Sequence, residues 1–335
     1  MVRAAHHYHK IVQAGTQARS SHGIREAVAW VQAGNLGKMR VARGLCYKPR
    51  PSIGQTQGPQ PVPASVNYDL WLGPAPMTPP RRRHFHYDWH WFWDFGAGDL
   101  GNQGIHQMDM ARWFLGASAL SPRILSIGGR LGYEDDGQTP NTFIAFHDYP
   151  KAPLIMEVRG LPEHTGSKEM DNYQGAKVGV VIECEGGHVL VPDYDQAIAY
   201  DADGKEIKRF AGSVNHFENF IRAVRSRRQS DLNAPILEGH LSSALCHTAN
   251  ISYRIGGLLA PDLIREQIKG DRDALPTFNR MAEHLAANNV NLDKTPATLG
   301  AVLKMNPKHE NFAGDAQANA LLARPPRPPF AFHVA

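Results

Sequence analysis

Within GDLGNQGIHQMD, Gly98 to Asp109, a histidine lies between two small polar residues at helical spacing. Asn102, His106 and Asp109 stand four and three positions apart, so on a helix starting near Gln103 they can project to one side. Ile105, Met108 and Leu115 then fall on another side as a core stripe. An imidazole with a pKa of about 6.5 accepts a proton at neutral pH, which makes His106 a candidate general base. The same residue types also allow a plainer arrangement, a buried histidine bonded to the backbone with Asn102 capping the helix.

Two neighbouring patterns bear on what this segment does. Gly96-Ala97-Gly98-Asp99-Leu100-Gly101 matches G-x-G-x-x-G, the glycine pattern of dinucleotide-binding loops. That loop needs a buried strand before it and an acidic residue about 20 positions on. WHWFWDF is too bulky and polar for such a strand, and SPRILSIGGR brings no acid at that distance. The glycines read instead as permitting a tight backbone beside a ligand. HFHYDWHWFWDF, residues 84–95, holds three of the six tryptophans and three histidines. Tyr87, Trp89, Trp91 and Trp93 either pack between loop and core or form a platform for a sugar ring. On a strand His84, His86 and His90 share a face, but no H-E-x-x-H type acid accompanies them, and no metal site is expected.

Composition narrows the class. A net charge of +4 over 335 residues, with only short basic runs at Arg81–Arg83 and Arg225–Arg228, argues against a nucleic-acid partner. No apolar run reaches the roughly 18 residues of a membrane span, and MVRAAHHYHK has no apolar core for a signal peptide. The compartment is cytoplasmic by default, or extracytoplasmic if an export signal lies upstream. Cys46, Cys184 and Cys246 are far apart and form no C-x-x-C pair, so neither a disulfide framework nor a zinc cluster is expected.

These residues need elements to hold them. Val2 to His9 reads as a short helix, and Ile11 to Arg19 as a buried strand entering a polar turn. Ser21 starts a helix with Ile24, Ala27, Val28 and Val31 at helical spacing, ending at Asn35-Leu36-Gly37. Met39 to Tyr47 is a strand, followed by a long Pro/Gly-rich loop around YDLWLGPAP. From Arg123 to Phe210 the chain turns mainly β, with hairpin signals at Glu185-Gly186-Gly187 and Asp201 to Gly204. Partial alternation implies an antiparallel sheet with one face covered by helices. Phe217, Phe220, Ile221 and Val224 make an apolar stripe behind a Ser213 cap. A second helix runs from about Pro235 to Tyr253, with one more helix and a Pro-rich tail beyond Gly257.

In order along the chain, VQAGTQARSSHGIREAV, NLGKMRVARGLCYK, YDLWLGPAP, FHYDWHWFWDFGAGDLGNQGIHQMDMARW and HFENFIRAVRSRR resemble the glucose–fructose oxidoreductase / inositol dehydrogenase (Gfo/Idh/MocA) family. The resemblance implies an α+β fold, an open, mostly antiparallel sheet covered by helices, with only the last strand and helix of a Rossmann domain at the N-terminus. It divides the chain into a nucleotide-domain remnant over 1–20, a substrate and oligomerisation domain over 21–257, and a C-terminal helix and tail over 258–335. His106 matches the family's catalytic His. Asn102 stands where relatives often carry an Asp, and Asp109 matches a frequent acid on the same helix. Gln17 and Arg19 match the turn close to the nicotinamide in relatives, and the aromatics at 87–93 fall beside the substrate. The implied protein is an NAD- or NADP-dependent oxidoreductase of a sugar or polyol and a homo-oligomer. The family's glycine loop, ribose-binding acid and catalytic Lys have no counterpart in this chain, so the expectation is weak or no NAD(P) binding by it. A redox-type glycoside hydrolase and a non-catalytic sugar-binding or oligomerising module are the two rival expectations.

Overall fold

A computed structural model describes residues 1–331. Helix α1 (Val2–His7) leads to a 3-10 turn at Gln17–Ser20, and α2 (His22–Gln32) follows. The Ser21 hydroxyl caps α2 by accepting the Ile24 N–H at 3.0 Å. Strand β1 (Met39–Tyr47) precedes the long loop, which contains the short helix α3 (Tyr68–Leu72). Helices α4 (Gly98–Asn102) and α5 (Gly104–Leu115) come next.

The β region supplies β2 (Arg123–Gly129), β3 (Thr142–Asp148), β4 (Leu154–Arg159), β5 (Val178–Cys184), β6 (Gly187–Val191), β7 (Gln196–Asp201) and β8 (Glu206–Ala211). Helices α6 (His216–Ser226) and α7 (Ile236–Arg254) follow. The rest holds β9 (Gly257–Leu259), α8 (Pro261–Ile268), α9 (Ala274–Ala287), β10 (Ala297–Leu299), β11 (Leu303–Asn306), β12 (Asn311–Phe312) and α10 (Ala316–Ala320).

One sheet takes the order β12-β11-β2-β3-β4-β1-β5-β6-β7-β8, with β10 and β9 branching from β2. Every pairing is antiparallel except β1 with β4. That exception follows from connectivity, because the loop, α4, α5 and the β2–β3 hairpin all lie between the two strands. Ala42, Cys46, Met156, Val158 and Ile182 face one way and pack with Ile24 of α2, Met108 and Phe114 of α5 and Leu245 of α7. Leu125, Ile127, Ile144, Phe146 and Ile155 face the other way and pack with Ile264 of α8 and Phe278 and Met281 of α9.

That second layer corrects the expectation of one covered face. The segment beyond Gly257 forms two substantial helices rather than one, and β3 and β4 are consequently buried almost throughout. Their continuous apolar runs are those of strands covered on both sides.

Three further expectations change. Ile11 to Arg19 is not a ladder strand. It makes a single antiparallel bridge, Gln13 to Pro235, and then turns at Gln17, because no second strand lies beside it. The α6 cap is Asn215, whose side-chain oxygen accepts the Phe217 and Glu218 N–H groups, and not Ser213. On that helix Phe217 and Ile221 point to solvent, while His216, Asn219 and Ala223 face inward.

Candidate functional site

Helix α5 lies directly on the centre of the sheet because of Gly44. A Cβ there would come 2.7 Å from the Met156 sulfur and 3.3 Å from the Gln107 backbone. Any larger residue would push the helix away from β1. The turn before α4 is equally tight, since Gly96 presses against the His90 backbone and Gly98 has φ +66 beside Thr139. What precedes these glycines is a 3-10 turn, Asp88–Trp91, and not a strand. The literal G-x-G-x-x-G is therefore a packing device here, without the strand–turn–helix of a dinucleotide loop.

The helix expected near Gln103 starts at Gly104, with Asn102 ending the preceding helical turn. The three spaced residues consequently sit in different surroundings. Asp109 is fully buried. Its carboxylate accepts Arg19 Nε at 2.8 Å and Arg19 Nη2 at 3.0 Å, and the Ser242 hydroxyl at 2.7 Å. Ser242 in turn accepts Arg112 Nε at 2.9 Å, and Glu238 meets Arg19 at 2.9 Å and Arg112. Burial works to raise the Glu238 carboxyl, and the two arginines outweigh it and hold it below its ordinary value. This network ties the N-terminal turn to α5 and α7, and Arg19 is committed to it. Gln17, two residues earlier in the same 3-10 turn, is exposed.

His106 is only half-buried, and its Nδ1 has no hydrogen-bond partner. Burial pushes its pKa below the usual imidazole value, Asp109 opposes that, and Lys48 adds to it. The ring is therefore neutral at pH 7, the state that can take a proton. Its imidazole lies 5.3 Å from the Tyr194 ring, centroid to centroid. Lys48 Nζ donates to Gln103 Oε1 at 3.1 Å, and Gln103 Nε2 donates to the Tyr194 hydroxyl at 2.7 Å. Gln107 is fully buried with neither amide atom partnered. Buried polar atoms without partners each cost about 1–3 kcal/mol, so such a cluster calls for a hydroxylated ligand or water.

Behind this cluster, Asp99 is bound by Arg50 Nε at 2.8 Å and Nη2 at 2.6 Å, and Arg50 Nη1 donates to the Tyr87 hydroxyl at 2.7 Å. Tyr87 is thus exposed but anchored. Trp91 is buried with Ile53 and Phe92, and the Arg130 guanidinium covers its ring at 4.5 Å. It is core, not a sugar platform, because the chain turns inward at this point. Trp89 is half-buried with its indole N–H on the His86 carbonyl, and Trp93 lies beneath the Arg254 guanidinium. His84, His86 and His90 do not lie on a strand, and no metal-binding group of His, Cys, Asp or Glu forms among the described residues.

Sequence patterning missed Lys48, Gln103, Gln107 and Tyr194. Gln103 sits three residues before His106, a spacing that could have drawn notice. Lys48 follows β1 and Tyr194 lies in the β6–β7 turn, so only the fold brings them to the helix. A cavity of about 580 Å³ opens on the other face of the sheet, lined by Arg123, Leu125, Phe146, Asp148, Ile268 and Asp273, away from His106.

Residues 30–148 match the family model described as "Oxidoreductase family, C-terminal alpha/beta domain" of the Gfo/Idh/MocA group. Over these residues the chain is similar to the C-terminal domain of Gfo/Idh/MocA oxidoreductases. The structure resembles one described as an NADPH-dependent oxidoreductase from Desulfitobacterium hafniense, with 10% identity, a TM-score of 0.50, and 75% of this chain and 65% of that one covered. It also resembles an oxidoreductase of Thermotoga maritima, with 13% identity, a TM-score of 0.48, and 74% and 62% covered. A third resemblance is to the WlbA dehydrogenase of Bordetella pertussis in complex with NADH and UDP-GlcNAcA, with 15% identity, a TM-score of 0.46, and 73% and 61% covered. The chain thus spans about three fifths of the length of these solved relatives. No curated protein matches. No helix among the described residues is long and apolar enough to cross a membrane.

Proposed function

We propose that this chain binds a sugar or polyol at the His106 cluster and that a neutral His106 accepts a hydrogen bond from a ligand hydroxyl, the position of a general base. The observation that carries this is the unpartnered Nδ1 of a neutral, half-exposed imidazole beside an unpartnered buried amide, Gln107. A polyhydroxy ligand supplies both donors and acceptors to such groups. Holding a hydroxyl against a positioned base is what these residues can contribute. Asp109 supports His106 through its field while fixing α5, and Asn102 stands at the rim on the preceding turn.

NAD or NADP serves as hydride carrier in the family this chain resembles, but Arg19, one of the two residues expected to meet it, is already engaged by Asp109 and Glu238. No step is therefore routed through the nicotinamide. The same engagement of Arg19 favours a second reading, a sugar-binding module without turnover of its own.

The test is titration of isotope-labelled chain with glucose, glucuronate and myo-inositol, followed by backbone amide NMR. Saturable shifts at Gln103 to Gln107 and Asp193 to Asp195 are expected. Saturable binding confined to the opposite face, or no binding at millimolar sugar, would contradict the proposal.

A further inference from the structure

Lys48 is a half-buried cation without an anion. Among the described residues its ammonium has one partner, the neutral Gln103 Oε1 at 3.1 Å, and no carboxylate at ion-pair distance. The nearby acids are taken, Asp99 by Arg50 at 2.6 Å and Asp109 by Arg19 at 2.8 Å. An ammonium carries three donors and no acceptor, so two of its N–H groups are left for something else.

Lys48 also sets the polarity of the groups beside it. Because the ammonium can only donate, Gln103 must turn its amide oxygen toward Lys48 and its N–H₂ toward Tyr194. The Tyr194 oxygen then accepts from Gln103 and keeps its own hydrogen as a donor, with the Gln107 side chain close to it. The Tyr194 ring rests against His106, whose Nδ1 is unclaimed, and the buried Gln107 amide is unclaimed as well. The cluster therefore presents a cation at one end, a hydroxyl donor in the middle, and a neutral base at the other.

We propose that the ligand is an acidic sugar, a polyhydroxy compound bearing a carboxylate, whose carboxylate is received by Lys48 while its hydroxyls engage Tyr194, Gln107 and His106. This names the substrate class of the site proposed above and rests on that reading. A neutral sugar would leave the ammonium unpaired, whereas a carboxylate pairs it through a charge-assisted hydrogen bond, which favours the acidic ligand by about tenfold or more.

The experiment measures dissociation constants of glucuronate, galacturonate and mannuronate against glucose, galactose and mannose by ligand-observed NMR, with and without added NAD⁺. The expected result is that at least one hexuronate binds about tenfold or more tighter than its neutral hexose. Lys48→Met should erase that preference, and Lys48→Arg, which keeps the charge and a donor to Gln103, should retain it. Equal binding of acids and hexoses by the unmodified chain would overturn the role of Lys48 and leave the sugar site standing. A preference that survives Lys48→Met would also overturn it. Binding of none of these sugars would overturn this inference and the sugar site together.

Discussion

On one face of the sheet, Glu157 is fully buried and met by Arg43 at 2.6 Å, Arg280 at 2.5 Å and the Tyr47 hydroxyl at 2.8 Å. On the other, His106 keeps a ring nitrogen without a partner beside an equally unclaimed Gln107 amide. Burial works to raise the Glu157 carboxyl, and Arg43, Arg280 and Arg159 outweigh it and hold it below its ordinary value. Both clusters are polar and set against the same strands, yet one is complete and the other open. One helical turn from His106, the Asp109–Arg19 network is closed in the same manner as Glu157. Position on a catalytic-looking helix therefore does not assign a role, whereas unsatisfied valence does.

His147 marks the limit of that criterion. Both of its ring nitrogens lack partners, but it is wholly enclosed between Ile124 and Leu154 on neighbouring strands. An open valence indicates a site only where a ligand can come close, and of these two histidines only His106 is partly exposed.

The largest expected effect comes from breaking a closed cluster. Asp109→Ala leaves Arg19 and Arg112 with Glu238 as their one carboxylate, and Glu157→Ala takes the carboxylate from Arg280 and leaves Arg43 with Glu183 and Arg159 with Asp171. Each should cost about 3–5 kcal/mol in urea denaturation. A cost under about 1 kcal/mol for either would show that the cluster is not closed as described.

A smaller effect follows from pH. Burial drives the His147 pKa down to about 3. Below about 6.5 the unfolded chain takes up this proton and the folded chain does not. Stability from the neutral ring is fully present at pH 7 and is lost as pH falls from about 6.5 toward 3. About 2 kcal/mol should disappear between pH 6.5 and 5, and His147→Leu should remove that share of the slope in denaturation curves. An unchanged slope would contradict the enclosure of His147.

Smaller still is the stability effect at the open cluster. His106→Gln should change stability by less than about 1 kcal/mol, since no hydrogen bond at Nδ1 is lost. It should nevertheless abolish the sugar-induced amide shifts at Gln107. Finally, NADH titrated into the chain should show no nicotinamide fluorescence enhancement at micromolar concentration, because Arg19 is already paired. Micromolar binding would restore the cofactor role first expected of Gln17 and Arg19.

Much of this was legible in the sequence because it is local. The runs at Arg123–Gly129, Thr142–Asp148 and Leu154–Arg159, the Glu185-Gly186-Gly187 hairpin and the Ser21 cap are set by neighbours in the chain. Long-range pairings were not legible. Nothing near Asp109 announces Arg19, 90 residues earlier, and nothing near His106 announces Tyr194. The apolar stripe of α6 was visible, but which way it faced was not, since the Asn215 cap and the inward His216 bond to Ser20 set its rotation.

The most direct measurement is a crystal structure of the chain soaked with glucuronate. The sugar should lie against Tyr194, with a hydroxyl about 3 Å from a His106 ring nitrogen and from the Gln107 amide. Glucuronate seated instead in the cavity beside Arg123 and Asp273, with His106 and Gln107 satisfied by ordered water, would contradict the assignment of the open cluster as the site.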